Sequence, residues 1–532
     1  MSNRVPFAKT AFAATLLACA GAGAAAAQTV PTDPVTGLRG FSAQSSAGTM
    51  APLASPKRRE VAGSPSGSTM AGQTVSGDTT AGLTKPRVKK PNTTRPQKQA
   101  KPLLPALVPY RTAPGQRARA AGRMATQAPG PTVAVVPFPT PARPRVEADP
   151  YKSVGVRVGN VVLRPAFEAD GGYSDNPNGV NRNVKGSSFS RVGGALDAQS
   201  DWGAHEFTAK LRGGYTKFFD IPDADRPDFQ GAASLKLDIA RDTRALLEAK
   251  ANIDSQRPGS PEITSLGTRG AKVKGRPLVY NEGAAAGLTQ TFGRFETTLR
   301  GTVDRTEYQD ATLTDGARLL LSNQDFTTLG GSLRLGYEAT PGVKPFVEAS
   351  IDKRTHDKTI DDAGFRRDSN GVTGRAGTSF EITRTLTGEA SAGYTRRQYD
   401  DPRLKDLRGP VFDAALIWTA SPLTTVTLKG STVFDESTIA GASGSINRKA
   451  SVQLSHALLR NLTLTGMATI GQRDYRGVAV TEKTVAFGLG AEYALTRSIA
   501  VRGSFTHDRL KSTAPNSDYT ANVFLLGLKL QP

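Results

Sequence analysis

The chain has 532 residues, a formal net charge of +21 and an apolar fraction of 38%, below the roughly 45–50% of globular domains. After the N-terminus it has no uninterrupted apolar run of the roughly 18 residues that a membrane-spanning helix needs, which excludes that class of membrane protein. The 55 glycines and 34 prolines indicate many turns and a segment without a packed core.

The first 27 residues have the organisation of a secretory signal peptide. Arg4 and Lys9 form the positive start, an apolar segment covers residues 12–22, and three alanines precede Gln28 as a cleavage site. The sequence therefore predicts export from the cytoplasm.

Cys19 is the one cysteine in the chain. Leu16-Leu17-Ala18-Cys19 resembles a bacterial lipobox, so lipidation of Cys19 is an alternative to cleavage after residue 27. If Cys19 leaves with the signal peptide, the mature chain has no thiol for a disulfide or a thiolate metal site.

Residues 28–150 are rich in proline, alanine and basic side chains. They contain 19 of the 34 prolines, 17 Lys and Arg residues and 5 acidic residues. Such a composition cannot bury enough apolar surface to offset the entropy of ordering, so we expect a disordered periplasmic arm. The arm is either a flexible linker or a tether to an anionic partner such as lipopolysaccharide or cell-wall polymer; nucleic acid is not expected in that compartment.

Residues 151–532 alternate between apolar and polar side chains with period two. In the segment 484–495, Val485, Phe487 and Leu489 alternate with Ala486 and Gly488. This alternation predicts strands with one face against a nonpolar medium.

Very short turns alternate with longer polar connections along this region. Turns such as Phe292-Gly293-Arg294 and Thr340-Pro341-Gly342 lie between connections such as Ser255 to Pro277 and Gln309 to Asn323. The alternation predicts an antiparallel up-and-down transmembrane β-barrel, all-β in class, with turns in the periplasm and loops outside. We expect about 18 strands, which begin near Val161, Phe189, Phe207, Phe229, Ala245, Val279, Phe295, Phe326, Val343, Gly371, Leu386, Val411, Leu423, Ile446, Leu462, Thr481, Ile499 and Tyr519.

A spanning sheet must close on itself, because a strand edge in lipid would leave amide groups without hydrogen bonds. Aromatic side chains are expected where the outward faces reach the membrane interface. The residues assigned there are Tyr173, Tyr215, Tyr308, Tyr337, Tyr394, Trp418 and Tyr493. The alternative is a soluble sandwich or propeller, which also alternates.

The last strand places Phe524, Leu526, Leu528 and Leu530 on one face. This pattern resembles the C-terminal signal that the barrel-assembly machinery reads, although the chain ends in Leu530-Gln531-Pro532 instead of an aromatic residue. We therefore expect that machinery to be a partner.

The segment from Gly155 to Pro165, followed by Tyr173-Ser174-Asp175-Asn176-Pro177, resembles the opening strand and first loop of the putative β-barrel porin 2 family. The Leu495-Thr496-Arg497 turn fits the same pattern. The resemblance covers residues 150–532 and implies an outer-membrane barrel, in some relatives linked to exopolysaccharide export. It implies no catalytic residues.

The inward face is expected to carry charges of both signs, which would line a water-filled lumen and select solutes by charge. The candidate lumen-lining residues are Lys210, Arg212, Arg300, Asp304, Arg334, Glu348, Asp352, Lys429, Glu492 and Arg502.

Three functions are open at this point. We expect porin-like passage of small polar solutes, with exopolysaccharide export or a structural, non-conducting barrel as alternatives. An enzyme is not expected: His507 and Asp508 are neighbours in one strand, so their side chains point to opposite faces and do not form a catalytic relay. No cofactor and no metal site is expected, and outer-membrane lipid and lipopolysaccharide are the expected surroundings.

Overall fold

The computed structural model describes residues 151, 153–264, 273–383, 385–437 and 439–532. The predicted signal peptide, Cys19 and the predicted arm of residues 28–150 lie outside the described residues. No helix in the described residues has the length and apolarity to cross a bilayer.

Strands account for most of the described chain, and a single four-residue α-helix, α1 (Pro261–Thr264), lies in a loop. The strands are β1 Val156–Val158, β2 Val161–Ser174, β3 Ser187–Ser200, β4 Glu206–Phe218, β5 Arg226–Ala240, β6 Thr243–Ser255, β7 Val273–Lys274, β8 Leu278–Phe292, β9 Phe295–Tyr308, β10 Ala311–Leu313, β11 Arg318–Leu319, β12 Phe326–Tyr337, β13 Val343–His356, β14 Ser369–Thr383, β15 Leu386–Tyr399, β16 Leu407–Ser421, β17 Thr424–Asp435, β18 Gly444–Leu459, β19 Leu462–Arg476, β20 Thr481–Ala494, β21 Ile499–Ser512 and β22 Tyr519–Leu530. Short 3₁₀ turns cover Pro222–Ala224 and Ser322–Gln324.

Eighteen of these strands form one closed antiparallel barrel, in which each strand pairs with the next along the chain and β22 pairs with β2. The barrel leaves out β1, β7, β10 and β11. The predicted fold class and strand number are confirmed, and every barrel strand begins within four residues of its predicted start.

The two ends of the barrel differ in their connections. One end has short turns, such as Gly293–Arg294 between β8 and β9, and we call it the turn end. The other, the loop end, carries the long connections 256–277 and 309–325. These two loops meet in a small sheet in which β7 pairs with β10 and β10 pairs with β11. The first residue of β2, Val161, and the last residue of β22, Leu530, both lie at the turn end.

The barrel is apolar outside and polar inside, as the alternation predicts. Outward-facing Leu329, Ile351 and Leu526 are 64%, 65% and 67% exposed, whereas inward-facing Arg334 and Glu348 are 7% and 6% exposed. Large apolar side chains in contact with water would be unfavourable, so this surface matches a barrel whose outside is covered by lipid.

One predicted interfacial aromatic residue lies elsewhere. Tyr173, Tyr215, Tyr337, Tyr394, Trp418 and Tyr493 are all outward and exposed. Tyr308 is only 4% exposed and packs with Val279, Ala311 and Phe326. The assignment of Tyr308 to the outer face is therefore wrong: it has the same strand parity as the inward residues Arg300 and Asp304 of β9.

The barrel closes where β2 meets β22. Eight register pairs run from Phe167↔Leu530 to Ser174↔Val523. Below them, β1 pairs with the first residues of β2, from Val158↔Val161 to Val156↔Leu163. The Ser153 hydroxyl donates a hydrogen bond to the Pro532 carbonyl at 2.8 Å, so β1 continues the column of β22 at the turn end.

Candidate solute pathway

Inward charges of the barrel wall are joined in ion pairs that run from strand to strand. On β2, β4 and β21, Glu168 accepts from Arg212 at 2.8 Å and pairs with Arg502 at 2.7 Å. Arg502 also donates to Asp170 at 2.8 Å. These side chains are nearly buried, with Glu168 at 3% and Arg502 at 7% exposure. Two of the predicted lumen residues, Arg212 and Arg502, are thus brought together by one carboxylate.

Several of these pairs reach across an intermediate strand that carries a glycine. Arg502 of β21 reaches Asp170 of β2 over Gly527 of β22, the register partner of both residues. A side chain at position 527 would overlap with the Asp170 Oδ1 atom. Since neighbouring strands lie about 4.8 Å apart, the backbones of the paired residues are two strand spacings, roughly 10 Å, apart, a distance that only a long cationic side chain can span.

Two further pairs repeat the arrangement. Lys250 reaches Asp304 at 2.7 Å over Gly283, and Arg397 reaches Asp352 over Gly371. In both cases a Cβ on the glycine would collide with the paired side chains. Glycine on the inward face therefore provides the space in which the ion pairs cross.

Arg334 of β12 forms the most extensively paired site on the opposite part of the wall. Its guanidinium donates to Glu348 at 2.7 Å and to Glu389 at 2.9 Å and 3.0 Å, and it lies 3.9 Å from the centre of the Phe346 ring. Glu348 also pairs with Arg375 at 3.7 Å. Bidentate contacts of this kind fix the guanidinium orientation.

The remaining predicted lumen residues fall into three groups. Arg300 pairs with Glu248, and Glu492 pairs with Lys529 at 3.2 Å. Lys210 is on the inward face opposite Asp197 in the register of β3 and β4. Lys429 lies exposed in the lumen opposite Ala415 and forms no ion pair with a described residue.

A loop crosses the lumen at the loop end. Residues 256–264 leave the wall after β6, and Glu262 of α1 contacts β19 nearly on the other side of the barrel. The Tyr475 hydroxyl donates to Glu262 Oε1 at 2.5 Å, and Arg473 lies 3.4 Å from the same carboxylate. Ile263 is 1% exposed. We call residues 256–264 the crossing loop.

The base of the crossing loop is also attached to its surroundings. Arg257 donates to the carbonyl oxygens of Gly179 and Ser517 at 3.4 Å, and its guanidinium stacks 4.5 Å from the centre of the Tyr519 ring. A weaker ion pair joins Arg257 to Glu482 at 3.8 Å. The crossing loop is therefore attached at two points, around Arg257 and around Glu262.

A second loop, between β17 and β18, folds inward from the other side. Glu436 pairs with Arg354 of β13, and both are nearly fully buried, at 5% and 1% exposure. Burial alone would raise the pKa of Glu436, but the Arg354 guanidinium holds it below its ordinary value. Arg367 donates to the carbonyl oxygens of Ser437 and Ala442 at 2.7 and 2.9 Å and so holds this loop in place.

A cavity of about 230 Å³ remains between the crossing loop and the wall formed by β2–β4 and β20–β22. The part of the cavity at the loop end is lined by Arg226, Arg257 and Arg276. The part farther from the loop end reaches Arg191 of β3 and Arg502 of β21. Arg226 and Arg276 both donate to the Pro177 carbonyl, at 3.3 and 3.0 Å. These hydrogen bonds help to orient the two guanidinium groups.

Sequence reasoning missed the crossing loop and the inward position of Glu436 in the loop between β17 and β18. Loops have no periodicity from which the direction of a side chain can be read. The one available signal was length, since loops longer than about 12–15 residues in a compact protein are often functional.

The histidines form no catalytic arrangement in the described residues. His356 is 9% exposed and contacts Asp368 at 3.3 Å, while His507 lies on the outer face and stacks on Phe487 at 4.9 Å. The described residues hold no cluster of His, Cys, Asp or Glu suited to a metal ion.

Comparison with known proteins gives one family and several distant structures. The family model described as putative beta-barrel porin 2 matches residues 149–532. No curated protein matches the chain.

The similar solved structures are outer-membrane receptors and porins of very low identity. The siderophore receptor PiuA from Acinetobacter baumannii is 11% identical, with 71% of this chain and 82% of that chain covered and a TM-score of 0.38. OpdO from Pseudomonas aeruginosa is 15% identical, with 69% and 97% covered and a TM-score of 0.35. A BenF-like porin from Pseudomonas fluorescens Pf-5 is 11% identical, with 70% and 100% covered and a TM-score of 0.36.

Proposed function

Because the chain belongs to the putative beta-barrel porin 2 family, we propose that it forms a porin-like pathway for small polar solutes across the outer membrane. The family match over residues 149–532 confirms the family that the segments around Gly155 and Tyr173 indicated. The proposed pathway is the cavity between the crossing loop and the strands β2–β4 and β20–β22.

The observation that carries the proposal is the position of the crossing loop. It narrows a lumen whose wall is lined by ion pairs and leaves on one side a cavity of about 230 Å³ whose lining includes several arginine side chains. A constriction formed by a loop within a wide barrel can admit small solutes and exclude large ones.

In the proposed orientation the short turns face the periplasm and the long loops face outward. The N-terminal arm, residues 28–150, would then lie in the periplasm, because the barrel sequence starts at the turn end. The barrel-assembly machinery remains a proposed partner, supported by the apolar face of β22.

Reconstitution of the purified full chain in planar bilayers tests the pathway. We expect discrete single-channel openings, and we expect liposomes that contain the protein to take up small sugars faster than large ones. A barrel that is folded by heat-modifiable gel mobility but never opens would contradict the proposal.

A structural, non-conducting barrel is the second candidate. It is supported by the buried Arg354–Glu436 pair, because two inward loops together fill much of the loop end. The two candidates differ in their response to Glu262→Ala. A non-conducting barrel should stay closed when that contact is lost, whereas a constricted channel should conduct more. No contact among the described residues favours exopolysaccharide export over passage of solutes.

A further inference from the structure

Two pairs of cations face each other across neighbouring strands on the outer surface of the loop end. Lys483 of β20 is the register partner of Lys511 of β21, and Arg396 of β15 is the register partner of Arg408 of β16. All four side chains are exposed. Like charges directly opposite each other in a sheet repel and destabilise the pairing. An anion between the two members of each pair would remove that repulsion.

Both pairs lie where the apolar outer surface ends, on the side of the loop end. On the same face as Lys483, Val485 and Phe487 follow at 51% and 41% exposure. On the same face as Arg396 and Arg408, Tyr394 and Phe412 are 54% and 56% exposed. The cations therefore lie where the hydrocarbon of a bilayer gives way to charged headgroups.

The protein itself supplies little compensating charge at these positions. Among the described residues, Lys483, Lys511 and Arg408 form no ion pair. Arg396 pairs with Asp406 at 2.9 Å, and the two side chains are 54% and 35% exposed. Arg509, two residues before Lys511 on the same face of β21, is exposed and adds a further cation.

The spacing suits a phosphate group. Neighbouring strands are about 4.8 Å apart, so one phosphate between the strands can accept hydrogen bonds of about 2.7–2.9 Å from both cations of a pair. A lipid phosphate fits better than a free one, since the acyl chains of the same lipid would cover the apolar residues below.

We propose that Lys483–Lys511 and Arg396–Arg408 are two binding sites for the phosphate groups of a phosphorylated outer-leaflet lipid. The lipid would hold the loop end at a fixed height in the membrane. The proposal does not depend on whether the barrel conducts.

Thermal stability of the full chain in vesicles tests these sites. The readout is the temperature at which the heat-modifiable band is lost, measured in phosphatidylcholine vesicles with and without lipid A. We expect lipid A to raise that temperature for the natural protein. Each double variant, Lys483→Gln with Lys511→Gln and Arg396→Gln with Arg408→Gln, should lose part of the shift, and the quadruple variant should lose it.

A matched control removes two exposed cations from the turn end, Arg241→Gln with Arg294→Gln, which should keep the full lipid A shift. In pure phosphatidylcholine each variant should lose the heat-modifiable band at a temperature no lower than that of the natural protein, which shows that it folds. An unchanged shift in the quadruple variant would overturn the proposal. So would an equal shift of the natural protein with inorganic phosphate in place of lipid A, because the ligand would then be free phosphate.

Discussion

Tyr475 and Glu262, 213 residues apart in the chain, are joined by a hydrogen bond of 2.5 Å where the crossing loop meets β19. This contact, together with Arg473, holds the crossing loop against β19. The width of the proposed pathway therefore depends in part on the polar contacts of Glu262, the attachment point farthest from β6.

Replacement of Glu262 by alanine should enlarge the pathway. The variant loses both the Tyr475 hydrogen bond and the Arg473 ion pair, so the crossing loop is released from the opposite wall. We expect a higher single-channel conductance and faster uptake of larger sugars in liposomes. Glu307→Ala is the control, since Glu307 is also near the loop end but points outward on β9. Equal conductance in the natural protein and Glu262→Ala would show that the crossing loop does not limit passage.

Replacement of Gly527 by alanine should destabilise the barrel at its closure. The added Cβ would overlap with Asp170 and displace the Arg502–Asp170 pair. Overpacking of this kind costs about 1–3 kcal/mol, and the heat-modifiable band should be lost at a lower temperature. Gly503→Ala on β21 is the control, because its Cβ would meet its nearest neighbours only at 3.9 Å. If both variants lose the heat-modifiable band at the same temperature, overlap at position 527 does not destabilise the barrel.

Replacement of Arg354 alone should lower the free energy of unfolding more than replacement of both Arg354 and Glu436. In Arg354→Met the Glu436 carboxylate stays buried without its cation, which costs about 3–5 kcal/mol. The double variant Arg354→Met with Glu436→Leu should recover most of that loss. Urea unfolding in detergent measures both, and an additive double variant would show that the two side chains are not coupled.

Order in the loop of residues 309–325 should depend on pH. Asp325 accepts a hydrogen bond from the Tyr308 amide at 2.7 Å, and burial raises the pKa of this carboxyl to about 6. The folded loop thus binds the proton more tightly than the unfolded loop, whose carboxyl has a pKa of about 3.9. The stabilising contribution is complete below about pH 4 and is lost as the pH rises through about 6.

Hydrogen exchange of residues 309–325, corrected for the intrinsic pH dependence of the rate, measures this effect. We expect stronger protection at pH 5 than at pH 7 in the natural protein. Asp325→Asn should show the same protection at both values. A natural protein with no pH difference would mean that Asp325 does not control the loop.

The barrel wall could be predicted from the sequence because its pattern is local. Alternation along each strand gives the direction of every side chain once one is known, and the structure has Arg212, Arg334 and Arg502 on the inward face. The same parity could have placed Tyr308 inside, next to Arg300 and Asp304; the prediction instead followed the usual position of aromatic residues at membrane interfaces. Local pattern could not reveal which charges meet, because Glu168 and Arg502 become neighbours only when the cylinder closes.

The crossing loop was beyond prediction for a related reason. Glu262 and Arg257 lie in a segment without periodicity, and their partners Tyr475 and Glu482 are on distant strands. Which wall the loop reaches depends on the diameter of the barrel and the height of the strands. Neither is encoded within the loop itself.

The pairing of β2 with β22 has a consequence for how the protein folds. Phe167 pairs with Leu530, so the contact that completes the cylinder joins residues from the two ends of the barrel sequence. Forming so distant a contact restricts more of the chain than any hairpin does. Intermediates should therefore be curved open sheets that still expose two unpaired edges, and anything that holds those edges apart would delay completion while leaving the hairpins intact.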